Sequence, residues 1–428
     1  MSARSSSDTS TERVERQGSA RLVGMTPAPS TTDLARDPAS LVERLVAVYP
    51  DADRAAARVV HAPGRVNLIG EHTDYNEGFV LPVAIDLGIT LALVPTDDRR
   101  VDVTLVATGE RDGFELDSIG AKRSAWIDYV AGMAWSLIDA AKPVRGFRAV
   151  LASDLPQGSG LSSSAAMELA SSLALSGGRV PDMDRMLLAR LAQRAENAYV
   201  GVNCGLMDQF ASAFGEPGRA LLLDCRTLEH RAVEMPLEHA AIVVCHSGSP
   251  RRLETSAYNE RRAQCEAAVA VIAEVEPGVT ALRDVTPEML EANRQRMDPL
   301  VAARAEHIVH ENARVLDAVA AFEHGDLDEV GRLFAASHAS MRDLFGISSP
   351  ELDALVEIAS AVPGVYGARL TGAGFGGCTV NLVRRDAAPA LRDAVLRDYG
   401  PRTGLVARVF EVEPSRGAAV VRGGRDDG

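Results

Sequence analysis

The sequence predicts an α+β fold in two lobes, and this prediction rests on the chain length and on the order of its hydrophobic patterns. The chain has 428 residues, enough for two domains that each have a core. Strand and helix patterns are mixed along it without a regular βαβ alternation. Two long helical patterns, 256–275 and 302–323, open the second half before strand patterns return. We therefore expect helices and sheets in both lobes.

Hydrophobic periodicity locates the individual elements between two polar ends. In the first half, the pattern predicts strands at 58–61, 78–94, 146–152 and 220–224, and helices at 40–48, 125–141, 163–176 and 184–199. In the second half, it predicts a strand at 240–245, the two long helices, a helix entered through Ser349 and Pro350, and strands that end at Leu370 and span 378–383.

The polar ends of the chain set the predicted domain boundaries. Residues 1–38 contain no periodic segment and few aromatic residues, so we expect a disordered tail there. The N-terminal lobe is expected at 39–225 and the C-terminal lobe at 226–413. Residues 414–428 have a composition typical of a flexible tail. Since neither tail can bury much apolar surface, removal of both should leave stability and activity unchanged.

Charge and cysteine content exclude several classes of protein. A net charge of −14 argues against a nucleic-acid binder, which would carry a basic face. No apolar stretch is long enough to span a bilayer, and the N-terminus lacks the apolar core of a secretory signal. The five cysteines are scattered, without a C-x-x-C pair, so neither a disulfide framework nor a zinc site is expected. These features favour a reducing cytoplasm. From the sequence, both a monomer and a weak homo-oligomer stay open.

The segment 64–76 concentrates groups that bind hydroxyls and anions. Glu71 and Asp74 can accept hydrogen bonds from hydroxyls, and His72 can donate or accept them. Arg65 can hold an anion with its planar guanidinium. This set of side chains indicates a polyhydroxylated small molecule that meets a phosphate.

A glycine- and serine-rich loop at 155–166 leads into a predicted helix. Gly158 and Gly160 let the backbone approach a ligand, and the helix N-terminus presents free N–H groups to an anion. The hydroxyls of Ser162–Ser164 can add hydrogen bonds or hold a metal. No lysine follows the last glycine, so this is not a Walker A loop. Taken alone, the loop fits a phosphate site or an ordinary serine cap after a glycine linker.

Two further segments carry candidate functional residues. Gly372, Gly374 and Gly377 satisfy G-x-G-x-x-G, but a strand pattern follows where a dinucleotide fingerprint requires a helix, so a tight turn beside the site is expected. Asp208 lies in an apolar segment that follows several glycines. A carboxylate buried there needs a partner, for which Arg65 is the candidate. The alternative for Asp208 is a helix cap or a surface loop.

These motifs together resemble those of galactokinases within the GHMP family of small-molecule kinases. The segment 64–76 resembles the galactokinase signature, and 155–166 and 370–379 resemble the second and third GHMP motifs, in the same order. The resemblance covers about 39–413, without a departure at the three motifs. It implies a two-lobed GHMP kinase fold, with a mostly antiparallel N-terminal sheet and the active site between the lobes.

The resemblance also implies a reaction and the residues that perform it. ATP would phosphorylate α-D-galactose at its anomeric hydroxyl, which gives galactose 1-phosphate and ADP in galactose catabolism. The implied catalytic residues are Asp208 and Arg65, and the implied ligands of Mg²⁺ are Ser164 and Glu196. The implied sugar-binding residues are Glu71, His72, Thr73, Asp74, Gly205 and Tyr258. The implied ATP-binding residues are Gly158, Ser159, Gly160, Leu161, Ser162, Ser163 and Ser164.

Two alternative functions remain open from the sequence. One is a sibling kinase acting on another sugar, such as N-acetylgalactosamine or arabinose, because sugar choice depends on pocket shape. The other is a non-catalytic sugar sensor, which would carry damage at the phosphate loop or at the catalytic aspartate, yet Ser164 and Asp208 are intact.

The remaining polar and aromatic candidates can be interpreted as functional or as structural residues. His307 and His310 could form a metal pair, although no third ligand is evident. Trp126 and Tyr129 could line an adenine pocket or pack in the core. Arg261 and Arg262 are expected on a solvated helix face.

Overall fold

The computed structural model describes residues 31–156, 158–249 and 254–424. The described strands form three sheets, with the orders β13-β1-β3-β6-β4-β5, β10-β11-β9-β12 and β2-β7-β8. The strands are β1 Arg58–Asn67, β2 Phe79–Val80, β3 Pro82–Thr96, β4 Arg100–Leu105, β5 Arg111–Glu115, β6 Gly146–Ser153, β7 Arg219–Asp224, β8 His230–Glu234, β9 Ala240–His246, β10 Val365–Thr371, β11 Cys378–Arg384, β12 Arg408–Val412 and β13 Ala419–Arg422.

Helices cover the sheets and connect them. They are α1 Thr31–Arg36, α2 Pro38–Val48, α3 Asp128–Asp139, α4 Ser163–Leu175, α5 Arg185–Arg194, α6 Met207–Phe214, α7 Glu254–Ala273, α8 Pro287–Asn293, α9 Pro299–His324, α10 Leu327–Ser340, α11 Pro350–Ser360 and α12 Ala388–Thr403. The mixture of helices and sheets confirms the predicted α+β class.

The six-stranded sheet forms the scaffold of the N-terminal part. Each of its described strand pairs is antiparallel except β4 with β6, which is parallel. Helix α4 packs across β1 and β3 with a face of small and aliphatic residues, among them Ala166, Leu169 and Leu173, which are buried. This packing fixes the N-terminus of α4 beside the C-terminal end of β1. The segment 64–76, called the sugar-type signature below, begins there.

The four-stranded antiparallel sheet forms the scaffold of the C-terminal part. Helices α10 and α11 pack on β10, and the turn after β10 carries the third glycine motif. Helix α9 packs against β2 and β8 of the small sheet. One hydrophobic core runs through both parts, from Val66 on β1 and Leu169 on α4 to Ile242 on β9 and Val315 on α9. The predicted boundary between 225 and 226 stays a prediction.

The predicted N-terminal tail is wrong for residues 31–38. Residues 31–36 form α1, and residue 38 begins α2. Leu34 and Ala35 are buried against the outer face of the six-stranded sheet, and Arg36 Nε donates to Asp154 Oδ2 at 2.9 Å. A helix this short buries too few apolar residues to produce a recognisable period. The rest of the predicted tail, residues 1–30, lies outside the described residues.

The predicted C-terminal tail is also wrong for residues 414–424. Strand β13 pairs with β1 and becomes the edge of the six-stranded sheet. Before it, the Gly417 N–H donates to Gly215 O and the Ala418 N–H to Ser212 O, each at 2.8 Å. A Cβ on Gly417 would lie 2.4 Å from Ala213 O, so this close approach requires glycine. Residues 425–428 lie outside the described residues.

We expect that a variant ending at Glu413 melts at a lower temperature than the full chain. It loses the hydrogen bonds between β13 and β1 and the backbone hydrogen bonds that precede β13. Each hydrogen bond contributes about 0.5–1.5 kcal/mol to stability. Thermal unfolding followed by circular dichroism measures the difference. A variant ending at Gly424 is the matched control and should melt like the full chain. Equal melting temperatures for all three chains would show that the C-terminal strand adds nothing to stability.

Candidate active site

A cavity of about 370 Å³ lies where the three sequence motifs meet. Its wall combines the end of β1, the loop before α4, the start of α6, helix α7 and the turn after β10. The predicted residues that line it are Arg65, Glu71, His72, Asp74, Gly158, Gly160, Ser162, Ser163, Ser164, Glu196, Gly205, Asp208 and Tyr258. The structure therefore brings together most of the side chains that the sequence singled out.

Among the described residues, three of the predicted binding residues do not line this cavity. Thr73 is fully buried, and its hydroxyl lies 2.9 Å from Gly70 O and 2.6 Å from Phe79 O, where it can donate within its own loop. Leu161 packs into the hydrophobic core, and the Ser159 hydroxyl accepts from the Leu161 N–H at 3.4 Å. These side chains hold the two loops in shape, so this geometry does not support their predicted contact with ligands.

Arg65 and Asp208 form the ion pair that the sequence predicted. Arg65 Nε donates to Asp208 Oδ1 and Nη2 to Oδ2, both at 2.7 Å, in the bidentate arrangement that suits a guanidinium. Arg65 Nη1 also donates to Gly160 O at 2.6 Å. The Ser162 hydroxyl donates to Asp208 as well. The pair thus joins the end of β1, the glycine loop and α6 at one wall of the cavity.

The glycine loop has the backbone conformation that an anion site needs. Gly158 and Gly160 adopt φ values of +67° and +73°, and Ser162 also lies in the left-handed region at +59°. A non-glycine residue there is uncommon, and such strain tends to occur at functional sites. A Cβ on Gly64 would lie 2.5 Å from Leu161 O, so that glycine lets the loop pack on β1. The N-terminus of α4 is thereby turned toward the cavity.

Glu196 and Ser164 are brought together as the predicted pair of metal ligands. Glu196 lies in a turn of π-helix over Ala195–Val200, an irregularity that is frequent at functional sites. Its carboxylate is hydrogen-bonded to Ser164, and burial together with the negative charge of Asp208 raises the pKa of Glu196 to about 7. A carboxylate and a hydroxyl are the hard oxygen donors that a divalent cation such as Mg²⁺ prefers.

Glu71 is held from behind by residues that the sequence analysis missed. Its Oε2 pairs with Arg369, and its Oε1 accepts from the Gly372 N–H at 3.1 Å. Arg369 is completely buried on β10 and also donates to Leu68 O at 2.5 Å. The buried carboxylate Glu311 lies 3.7 Å from Arg369 and accepts from the Gly70 N–H at 3.0 Å. The sequence feature that indicates this cluster is an arginine within an otherwise apolar strand pattern, since such a buried charge needs a partner.

His72 is fixed by hydrogen bonds on both ring nitrogens. Nδ1 lies 2.8 Å from Tyr75 Oη and Nε2 lies 3.2 Å from Ala373 O. Burial lowers the pKa of His72 to about 3, so the ring is neutral at physiological pH. A neutral ring fits donation to the Ala373 carbonyl and acceptance from Tyr75. The Tyr258 ring lies 5.1 Å from the His72 ring, which makes this wall of the cavity aromatic.

Asp74 lies against the loop that carries Gly205. A Cβ on Gly205 would be 1.8 Å from Asp74 Oδ2, so only glycine permits this approach. Asp74 Oδ1 accepts from the Tyr75 N–H at 3.0 Å. Burial and the negative charge of Asp208 raise the pKa of Asp74 to about 6. The cavity therefore holds carboxylates close together, with Arg65 as their cation on this wall.

The histidine pair considered from the sequence is not a metal site. His307 is fully buried, with Nδ1 2.9 Å from Ser340 Oγ and Nε2 3.3 Å from Glu71 O, whereas His310 is exposed. Within the described ranges, no group of three or more histidine, cysteine, aspartate or glutamate side chains is placed to hold a metal ion. His307 instead supports the loop of Glu71.

The expectation of a solvated face for Arg261 is wrong. Arg261 is buried and donates to Phe345 O at 2.8 Å and to Gly346 O at 3.1 Å, because the turn after α10 folds over α7. Arg262 remains partly exposed and pairs with Glu266. Tyr129 lines the cavity, whereas the Trp126 indole donates to the exposed Glu110 at 2.9 Å.

Family comparisons match three consecutive parts of the chain. The galactokinase galactose-binding signature matches residues 48–95, the GHMP kinases N terminal domain matches 128–216, and the GHMP kinases C terminal domain matches 318–402. The three matches contain the sugar-type signature, the glycine loop with Asp208, and the turn after β10. The fold and the site together thus define a small-molecule kinase of the GHMP class, which uses ATP.

Similar proteins narrow the class further. The chain is 46% identical to a galactokinase of Roseiflexus sp. (strain RS-1) over 363 residues, 85% of this chain and 93% of that protein. It also resembles the crystal structure of Lactococcus lactis galactokinase complexed with galactose, with 37% identity, a TM-score of 0.84, and coverage of 89% of this chain and 99% of that chain. The chain belongs to the galactokinase family.

A more distant structure shows how widely the architecture is shared. The crystal structure of Methanococcus jannaschii mevalonate kinase matches with a TM-score of 0.62 at 19% identity, over 85% of this chain and all of that chain. At this identity the likeness concerns the fold alone.

We expect Asp74→Asn to stabilise the fold in a pH-dependent way. The pKa of Asp74 is raised from 3.8 to about 6, so the folded state disfavours its ionised form. Its contribution to stability is present below about pH 4 and is lost as the pH rises through 6. Asn cannot ionise, so the variant should equal the native chain near pH 4 and exceed it above pH 6, on the order of 1 kcal/mol after allowance for solvent screening.

Thermal melts from pH 4 to pH 8 measure this difference in stability. Asp182→Asn, in an exposed loop, is the control for removal of a surface charge. A stability difference that is the same at every pH would contradict a raised pKa at Asp74.

Proposed function

We propose that this chain transfers the γ-phosphoryl group of ATP to the anomeric hydroxyl of α-D-galactose, giving galactose 1-phosphate and ADP. Membership of the galactokinase family supports the activity, and one observation supports the placement of the chemistry. The bidentate pair of Arg65 and Asp208 lies between the sugar-type signature and the glycine loop, where an acceptor hydroxyl and a phosphate would meet.

The glycine loop is the proposed site of the ATP phosphates. Gly158 and Gly160 leave their backbone free of side chains at the cavity, and the hydroxyls of Ser162, Ser163 and Ser164 line it. The N-terminus of α4 adds free backbone N–H groups and the positive end of a helix dipole. These contacts can hold a polyphosphate without the lysine of a Walker A loop.

Ser164 and Glu196 are the proposed protein ligands of Mg²⁺. The two side chains are hydrogen-bonded to each other and both line the cavity, so their oxygens would hold a hard cation beside the glycine loop. Mg²⁺ usually takes only one or two protein carboxylates and completes its shell with water and phosphate oxygens. When bound, it would neutralise charge on the phosphate oxygens.

Asp208 and Arg65 are the proposed catalytic residues. Asp208 accepts or orients the proton of the anomeric hydroxyl as that oxygen bonds to the γ-phosphorus and the bond to ADP breaks. Arg65 pairs with Asp208 in its charged form. Three of the five guanidinium N–H groups are used by Asp208 and Gly160. The remaining two can reach the transferring phosphoryl group, where positioning and electrostatics are the main contributions of a kinase.

The sugar is proposed to bind on the opposite wall, against Asp74, Gly205 and Tyr258. Asp74 can accept hydrogen bonds from sugar hydroxyls, and the aromatic rings of Tyr258 and His72 can pack against the apolar face of the sugar. Both nitrogens of His72 are already hydrogen-bonded to the protein, so its proposed role is contact through the ring. Glu71 is proposed to reach the sugar from its position beside Arg369.

A cytoplasmic location is also proposed. None of the five cysteines, all within the described part of the chain, forms a disulfide, which suits a reducing compartment. Separately, among the described residues no helix combines the length and the apolar character needed to cross a membrane. The expected monomer or weak homo-oligomer stays a prediction.

A coupled assay of ADP release with ATP and a panel of sugars tests the proposed function. We expect galactose to give a higher kcat/KM than N-acetylgalactosamine or arabinose. Asp208→Asn should fold and bind ATP but lose turnover by about 10²-fold or more, as expected for loss of an acid–base or orienting group. A higher kcat/KM for another sugar would replace galactose as the substrate. Absence of sugar-dependent ADP release by the native chain would support the sensor instead.

Arg65→Lys separates charge from geometry at the proposed phosphoryl clamp. Lysine keeps the positive charge but cannot reach Asp208 and a phosphate together through a planar fork. We expect kcat to fall more than KM changes, since the phosphoryl contact strengthens in the transition state. Steady-state kinetics measure both constants, and Arg99→Lys, in an exposed ion pair with Asp117, is the control. A near-normal kcat would leave Arg65 as a simple partner of Asp208.

A further inference from the structure

Gln209 lies directly behind the proposed metal carboxylate. It follows Asp208 on α6, and its side chain is completely buried, whereas Asp208 lines the cavity. Gln209 Nε2 donates to Glu196 Oε2 at 2.6 Å and to Glu168 Oε2 at 3.1 Å. One amide therefore bridges two buried carboxyl groups from different helices, and it uses one N–H for each.

Glu168 anchors this bridge from α4. It lies four residues after Ser164, one helical turn deeper in the fold, and it is completely buried. Among the described residues it makes no salt bridge, and its Oε1 has no hydrogen-bond partner. A buried carboxyl group without a cation is costly, and the Gln209 amide offsets part of this cost by donating a hydrogen bond to it. Here it fixes the Gln209 amide in the orientation that faces Glu196.

Two of the hydrogen bonds to Glu196 fall on the same carboxylate oxygen. Gln209 Nε2 and the Cys204 thiol, at 3.4 Å, both donate to Oε2. Oε1 receives neither of these two hydrogen bonds, and the carboxylate is also hydrogen-bonded to Ser164. Hydrogen bonds from such supporting groups orient a ligand carboxylate, and their loss typically weakens metal binding or activity by about 10–100-fold.

We propose that Gln209 is a positioning residue for the divalent cation, because its amide locks the Glu196 carboxylate against Glu168. This inference rests on the proposed function, in which Glu196 is a metal ligand. Gln209 does not line the cavity in the described structure, and the described hydrogen bonds of its amide go to Glu196, to Glu168 and, at 3.8 Å, to the Cys204 thiol. It should therefore affect the cation and leave the sugar unaffected.

Gln209→Met removes the donor with little change in side-chain length, and direct Mn²⁺ binding in the presence of ADP provides the readout. Titration followed by electron paramagnetic resonance should show Mn²⁺ affinity about tenfold weaker or more. The galactose KM should stay within about twofold, because no described contact joins Gln209 to the sugar wall. Ser171→Ala is the matched control, since Ser171 is buried on α4, its hydroxyl has no hydrogen-bond partner among the described residues, and it lies outside the bridge.

Glu196→Gln separates failure of this inference from failure of the proposed function. If Glu196→Gln weakens Mn²⁺ binding and Gln209→Met does not, the positioning role of Gln209 is overturned while the metal site stands. If neither change weakens Mn²⁺ binding, Glu196 is not a metal ligand and the inference falls with that assignment. A shift of the galactose KM as large as the shift in Mn²⁺ affinity would also overturn it. If Gln209→Met does not fold, Gln209→Asn keeps the amide but is one methylene too short to bridge both carboxyl groups, and it carries the same expectation.

Discussion

The buried guanidinium of Arg369 is the interaction on which the arrangement of the site depends. It joins β10 to the loop after β1, because it pairs with Glu71, lies near Glu311, and donates to Leu68 O. Glu311 in turn accepts from the Gly70 N–H, and Arg314 and Arg369 outweigh the effect of burial and lower its pKa to about 2. Removal of one partner from such a cluster would leave an unpaired buried charge, at a cost of about 3–5 kcal/mol.

This cluster explains how two parts of the chain meet at one cavity. Glu71 accepts from the Gly372 N–H, so the same carboxylate that pairs with Arg369 also holds the third glycine motif. His72, the next residue, adopts a left-handed φ of +62° and reaches Ala373 O. The sugar-type signature and the turn after β10 are therefore fixed relative to each other before any ligand binds, which favours binding because less order must be created.

The cavity itself, unlike the cluster around Arg369, contains several carboxylates close together. Burial and the negative charge of Asp208 raise the pKa of Asp74 and of Glu196, and Arg65 is the cation that the protein places among them on the Asp208 wall. Such an arrangement lowers the stability of the folded chain. It is suited to a proposed reaction that brings a divalent cation and hydroxyl donors to these carboxylates. The bridge of Gln209 belongs to this region, since it supplies N–H donors without adding charge.

The sequence by itself determined the class of fold and the family, and it singled out most of the side chains that line the cavity. Arg65, Asp208 and Ser164 were singled out from their residue types and glycine-rich surroundings, whereas Glu196 was assigned through the resemblance to galactokinases. Tertiary structure decided the rest. The strand β13 and the support of Glu71 by Arg369 depend on partners that are distant in the chain, with Arg369 and Glu71 separated by 298 positions. Composition describes which groups a segment carries, but long-range backbone pairing and the burial of a charge exist only after the chain has folded.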